Sequence, residues 1–72
     1  MAETKKMTIE AITTTDRFVT DPVDATLEEL AGTRAILASI GDLSYLRLEV
    51  AGNDVYLNPK YIVALTLIEE DN

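Results

Sequence analysis

The chain has 72 residues and a formal net charge of −7, with thirteen acidic and six basic side chains and no cysteine or histidine. The missing thiol and imidazole groups exclude a disulfide bond and a zinc site built from those ligands, and we expect no cofactor. A surface this acidic repels phosphate backbones and anionic lipid headgroups, so direct binding to nucleic acid or to a membrane is disfavoured.

The length and the apolar content together predict one small domain that needs a partner. We assign residues 1–6 to a polar N-terminal extension and residues 7–72 to a single small β-rich domain. Hydrophobic residues make up 47% of the chain, more than so small a domain can bury by itself, because its surface is large relative to its volume. No apolar run suits a secretory signal or a membrane span, so we expect a cytoplasmic protein, or one of the host cytoplasm or the virion if it is viral.

The first predicted strand covers residues 7–14. Apolar side chains at positions 7, 9 and 11 alternate with polar ones at positions 8 and 10, which is typical of a strand with one buried face. The threonines that follow, with Asp16, form a turn or continue the strand, and residues 17–19 resume pairing after it. Phe18, the single phenylalanine, is expected in the core. Pro22 ends this segment because it cannot donate to a ladder.

A capping box marks the start of a helix. Thr26 and Glu29 have the Thr-x-x-Glu spacing, and acidic residues in the first turn suit the positive end of the helix dipole. We predict a short helix near residues 26–31 that ends at Gly32. Its expected buried face consists of Leu27, Leu30 and Ala31. A longer helix that passes Gly32 and ends at Gly41 stays open, because one internal glycine costs only about 1 kcal/mol.

A hairpin turn at Gly41-Asp42 is the reason for preferring the short helix. With that turn, residues 33–40 become a strand in which Arg34 lies opposite Glu49, and the two strands share an apolar face.

A second turn at Gly52-Asn53 sets Val50 against Val55 and Leu48 against Leu57. The same face then stays apolar across three strands, and this agreement between two turns supports both of them.

The last predicted strand covers residues 61–68, which contain no charge, glycine or proline. A type I turn over residues 58–61 precedes it. Alternation divides the strand into two apolar faces, and one of them carries Tyr61, Val63, Leu65 and Leu67. A chain of this size can hardly cover both faces. One face therefore closes the core, while the other meets a barrel wall, a short helix or another subunit.

The segment 50–67 resembles the end of Sm-like small β-barrels, and equally a pattern in a family of small flagellar-operon β proteins. It consists of a strand ending in Val55-Tyr56-Leu57, the connection Asn58-Pro59-Lys60-Tyr61-Ile62, and a strand that continues from Val63. The Sm-like resemblance implies a helix followed by five strands and a ring assembled through strand edges, often to bind RNA. Asn58 and Pro59 stand where that family tends to carry Arg-Gly, so ring formation is a better expectation than RNA binding. No site residues are carried over.

These elements together predict a mainly β, small α+β fold with four or five strands and one short helix. The strands close as an SH3-like or Sm-like small barrel, or they form a twisted antiparallel sheet.

The inventory of side chains does not support catalysis or metal binding. Without histidine or cysteine, acid-base work would fall to carboxylates, lysines or tyrosines, and a serine nucleophile would have no histidine to activate it, so we predict that the protein is not an enzyme. The acidic loop around Asp21 and the acidic tail at residues 69–71 lack the ligand order of an EF-hand, so we predict no metal site.

The sequence instead predicts a surface for association. Arginine and tyrosine are enriched in binding hot spots, although an ordinary outer face with a cross-strand ion pair explains the same residues equally well. The predicted interface residues are Tyr61, Val63, Leu65, Leu67, Arg34, Arg47, Tyr45 and Tyr56.

Three functional hypotheses follow. In the first, the chain is a non-enzymatic homo-oligomeric structural or interaction protein that assembles through the last strand or the Met7 strand, as part of a larger assembly such as a virus particle. In the second, it is an acidic inhibitor or adaptor that occupies a basic site on a nucleic-acid-handling or defence protein. Its phosphate-mimicking residues would be Asp16, Asp21, Asp24, Glu28 and Glu29. In the third, a ring of subunits binds a small ligand between them.

Overall fold

The computed structural model describes residues 3–71, and within them the chain is mainly β with one α-helix. The strands are β1 (Thr4–Thr13), β2 (Arg17–Val19), β3 (Val23–Thr26), β4 (Leu46–Val50), β5 (Asn53–Leu57) and β6 (Ile62–Asp71), and the helix is α1 (Leu27–Ala38). All strand pairs are antiparallel. The predicted mainly β, small α+β fold with antiparallel strands is confirmed, with six strands in the described residues rather than four or five. The predicted barrel is wrong, because the strands of residues 3–71 do not close.

Strand β1 lies at the centre of the larger sheet. It pairs with β6 along one edge, and with β3 and β2 in turn along the other. Met7, for example, lies between Val23 and Glu69. The Met7 strand therefore has no free edge for assembly, and that part of the first hypothesis is wrong. The strand also takes in residues 4–6, which the sequence assigned to an extension.

A tight turn joins β1 to β2, which is one of the two alternatives that the sequence left open for the threonines and Asp16. The N–H of Thr13 donates to the carbonyl of Asp16 at 2.8 Å, and the Thr13 hydroxyl accepts from the Asp16 N–H at 2.9 Å. The next three residues resume pairing with β1 and place Phe18 opposite Ala11. Phe18 packs, half-buried, against the core, as predicted.

The helix begins where the capping box predicts but runs well past Gly32. Residues 33–38 are helical, so both the short helix and the hairpin at Gly41 are wrong. Leu30 is fully buried, and Thr33 and Leu37 are half-buried at helical spacing from it. Helical periodicity therefore governs this segment, because tertiary contacts along one helix face outweigh the cost of a single glycine. The other two members of the predicted buried face are exposed: Leu27 and Ala31.

The hairpin of β4 and β5 turns one residue earlier than predicted. Ala51 and Gly52 both have positive φ, 52° and 79°, which is the signature of a type I′ turn. Leu48 therefore lies opposite Val55 rather than Leu57. A shift by two residues leaves every side chain on its predicted face, so the apolar face of this hairpin is as expected.

The core lies between that hairpin face and the inner face of the larger sheet. Its buried members are Ala11 from β1 and Leu46, Leu48 and Leu57 from the hairpin. Half-buried side chains from the helix, the 3₁₀ turn Ile40–Asp42 and β6 surround them. The inner face of β6 is thereby closed by the chain itself.

Candidate functional site: the free edge of strand β6

Strand β6 forms one edge of the larger sheet. It pairs with β1 along one side, and no ladder within residues 3–71 occupies its other side. The strand is ten residues long, and residues 62–68 carry no charge. An edge strand with several uncharged residues in a row offers backbone donors and acceptors to another strand.

The hydrogen bonds of Ile9 show which residues of β6 present those groups. Its N–H donates to the Thr20 hydroxyl at 2.8 Å, and its carbonyl accepts from the Thr20 N–H at 2.9 Å. Both groups of Ile9 therefore point away from β6, which makes Ile9 and Leu67 a pair without mutual hydrogen bonds. Because such pairs alternate with bonded ones, the N–H and C=O of Leu65, Leu67 and Glu69 point to the free edge.

A β-bulge at Val63 alters the faces near the start of β6. Ile12 lies opposite Ala64 and the next residue, Thr13, lies opposite Ile62, so Val63 is the extra residue. Val63 is 68% exposed, while Ile62 packs against the core beside Leu65. The prediction that Tyr61 and Val63 share the face of Leu65 and Leu67 is therefore wrong. Tyr61 lies in the 3₁₀ turn Pro59–Tyr61 and is also exposed.

The outer face of β6 is open in the single chain. Ala64, Thr66 and Ile68 are exposed there, and neither a barrel wall nor the helix covers them in the described part of the chain. Thr66 lies opposite Glu10, whose carboxylate pairs with Arg17 across the sheet. This face mixes apolar and polar side chains. The free edge of β6 is therefore a stronger candidate for a binding surface than its outer face.

Charges are concentrated at the two ends of β6. Arg34 of the helix forms an ion pair with Glu69, and Lys5 lies 3.6 Å from the Asp71 carboxylate. Lys60 comes just before the strand, with its ammonium 6.0 Å from the centre of the Tyr61 ring. At the C-terminal end of β6 three carboxylates thus meet two cations, which leaves an acidic excess, and Lys60 places a cation just before its N-terminal end.

The predicted arginine and tyrosine cluster is partly assembled, away from β6, on the exposed face of the hairpin. Tyr56 lies opposite Arg47, and its ring centre is 5.6 Å from that of Tyr45. Arg47 also forms a 3.0 Å ion pair with Asp54. Arg34 does not join them, because its segment is helical rather than paired with β4.

A shallow cleft of about 360 Å³ lies beside the turn between β1 and β2, near the lower limit for a ligand pocket. It is lined by Thr13, Thr14, Thr15, Asp16, Phe18, Tyr56, Leu57, Asn58 and Tyr61. Several of its polar groups already have partners: the Thr14 N–H donates to the Tyr61 carbonyl at 3.1 Å, and the Asn58 side chain accepts from the Lys60 N–H at 3.0 Å. Within one chain this cleft gives no support to a ligand site between subunits.

The acidic residues are largely occupied by internal contacts. Asp21 accepts from two backbone N–H groups of the β4–β5 turn, Asp24 pairs with Lys6 at 3.0 Å, and Glu29 closes the capping box. Residues 3–71 contain no group of three or more acidic side chains arranged to hold a metal ion.

Sequence reasoning identified the uncharged run of β6 but not Thr66, an exposed residue within that run on the edge strand. The signal that was present is the charge-free run itself, within which Thr66 lies. What was missing is the position of β6 at the sheet edge, which depends on long-range pairing.

The helix of the described region is neither long nor apolar enough to cross a membrane. No protein-family model, curated protein or solved structure matches this chain.

Proposed function

We propose that this chain is a non-enzymatic building block that associates with copies of itself through the free edge of β6. The observation that carries the proposal is a strand of the larger sheet that is paired on one side only and whose residues 62–68 carry no charge. Natural proteins usually protect such an edge with a lysine, a proline, a bulge or a covering element. In β6 the bulge lies at Val63, and residues 64–68 beyond it have no such protection.

Two further features support association. Edge-facing N–H and C=O groups of Leu65 and Leu67 would gain hydrogen bonds from a partner strand, in the manner of β-strand addition. The exposed side chains of Val63, Ala64 and Ile68 would lose contact with water at the same junction. Main-chain bonds would thus supply affinity, and the uncharged residues 64–68 would place no like charges opposite each other.

A substitution at the edge tests the proposal. We expect the wild-type chain to be oligomeric at micromolar concentration in sedimentation and light scattering. Thr66→Lys should convert it to a monomer, because its side chain is exposed on the edge strand and an edge lysine opposes strand pairing. Within one chain the new lysine would lie opposite Glu10, so the monomer itself should fold normally.

Thr8→Lys is the matched control. Thr8 lies on the same face of the same sheet but on the central strand, opposite Ile68. It adds the same charge without altering the edge, so association should persist. A wild-type chain that stays monomeric would overturn the proposal.

The dependence on salt separates this proposal from the acidic inhibitor. Apolar self-association should hold or strengthen as salt is raised, whereas binding by mimicry of phosphates should weaken steeply. Three of the five predicted phosphate-mimicking residues, Asp21, Asp24 and Glu29, already have partners within the chain, and we do not propose that function.

A further inference from the structure

We infer that two copies pair through β6 in antiparallel orientation, with Thr66 of each chain on the two-fold axis. The inference rests on the proposed function and specifies its partner, a second copy, and its register. In this arrangement two larger sheets join into one continuous sheet across the dimer.

The charges of β6 select the antiparallel orientation. In a parallel pair, residues 69–71 of one chain would run beside the same acidic residues of the other and repel them. In an antiparallel pair the acidic ends separate to opposite ends of the junction. Each then lies beside the partner's segment that follows Lys60, a cation. Charge complementarity therefore favours one orientation.

The backbone geometry narrows the register. Leu65 and Leu67 present their N–H and C=O groups to the edge, so each must face a residue that does the same in the partner. Such pairing matches odd positions to odd positions. It allows a two-fold axis at Thr66, with Leu65 opposite the partner's Leu67 and Ala64 opposite the partner's Ile68.

Residues 64–68 are the part of β6 that is both uncharged and free of the bulge, and they select one of the allowed registers. The bulge at Val63 interrupts the strand on one side, and Glu69 begins the charges on the other. Residues 64–68 lie between these limits, and Thr66 is their midpoint. Centring the axis there gives five uncharged pairs, the most that the segment allows, and brings two threonines face to face.

The other edges favour a closed dimer over a ring. A ring or filament needs β6 to meet a different edge on the next copy. Strands β2 and β3 have only three and four residues, and between them the Asp21 N–H already donates to the Glu49 carbonyl of β4 at 3.1 Å. Strand β5 has five residues and carries Asp54. The long edge of β6 is matched best by itself, so association stops at two.

Single cysteines test the register, since the wild-type chain has none. At the inferred axis the two Thr66 Cα atoms form a pair without hydrogen bonds, about 4.5 Å apart, which suits a disulfide. Thr66→Cys should therefore give a covalent dimer under mild oxidation. Ala64→Cys and Ile68→Cys, on the same exposed face, should not link to themselves, because four residues of offset separate equal positions by about 13 Å.

A mixture of the Ala64→Cys and Ile68→Cys chains completes the design. These positions face each other in the inferred register, so the mixture should give the mixed disulfide although neither chain links alone. Circular dichroism would verify that each variant folds, and the mixture tests the same register should Thr66→Cys misfold.

The outcomes distinguish an error in the register from a failure of self-association. Self-linking through position 64 or 68, or failure of every variant to link although the wild-type chain is dimeric, would overturn the register and leave self-association standing. A wild-type chain that is monomeric in sedimentation would overturn the proposed function itself.

Discussion

Asp21 holds the turn at Gly52 from 31 residues away: its carboxylate accepts the Gly52 N–H at 2.9 Å. The second carboxylate oxygen accepts the N–H of Ala51, also at 2.9 Å. These bonds join the connection between β2 and β3 to the tip of the β4–β5 hairpin, and so fasten the hairpin to the larger sheet. They also anchor the two residues that adopt positive φ.

Asp21→Ala is expected to destabilise the fold by about 1–3 kcal/mol, because hydrogen bonds to a charged acceptor are stronger than neutral ones and the side chain lies half-buried. Urea denaturation would measure the loss. Asp42→Ala is the control for charge, since its side chain is exposed and makes no hydrogen bond or ion pair among the described residues. Equal effects of the two substitutions would show that the contacts of Asp21 contribute nothing specific.

Gly32→Ala should stabilise the protein by roughly 0.5–1 kcal/mol, because alanine loses less backbone entropy than glycine in a helix interior. The position is exposed, and an added Cβ meets nothing within 4 Å. A rise in the midpoint of chemical denaturation would be the readout.

Gly52→Ala adds the same methyl group but should lower the stability of the protein instead of raising it. At a φ of +79° a Cβ is strained, and the expected loss is about 1–2 kcal/mol. A destabilising Gly32→Ala would contradict a helix that continues past residue 32 and would favour the predicted short helix that ends at Gly32.

The capping box should make stability depend on pH in the acid range. Hydrogen bonds from the Thr26 backbone and side chain lower the pKa of Glu29 below its ordinary value of 4.5. A lowered pKa in the folded state means that the contribution is complete above 4.5 and is lost as the pH falls through the folded-state pKa. Carboxyl NMR titration would give that pKa directly.

Glu29→Gln tests the same contribution through stability. Glutamine keeps the capping geometry but cannot ionise, so the wild-type advantage over this variant should shrink on acidification. Glu28→Gln, one residue earlier, controls for the loss of a charge in the first turn. An acid-independent difference between wild type and Glu29→Gln would contradict the prediction.

Because of the bulge, alanine substitutions at two nearby apolar positions of β6 should lower the stability of the fold by unequal amounts. Leu65→Ala should cost about 2 kcal/mol, because Leu65 packs against the core. Val63→Ala should stay within about 0.5 kcal/mol, because Val63 is mostly exposed. Both should be measured in the Thr66→Lys background, where association does not contribute. Similar losses at the two positions would indicate an unbroken alternation.

Local chemistry was readable from the sequence because its partners lie close along the chain. The capping box of Thr26 and Glu29, the turn after Asn58 and the alternation within the β4–β5 hairpin all involve residues a few positions apart. Even the misplaced hairpin turn preserved its apolar face, since a shift by two residues does not change which side a side chain occupies.

What only the tertiary structure decided was which elements meet. Residues 33–38 satisfy both a hairpin and a helix pattern, and burial of the Leu30 face selected the helix. The bulge at Val63, the central place of β1 and the free edge of β6 each arise from pairing between residues up to 66 positions apart, as between Lys5 and Asp71. The sequence by itself thus determined where the helix begins, the turn after Asn58 and the uncharged run of β6. Long-range strand pairing, whose energy no short segment contains, determined that this run lies at an open edge.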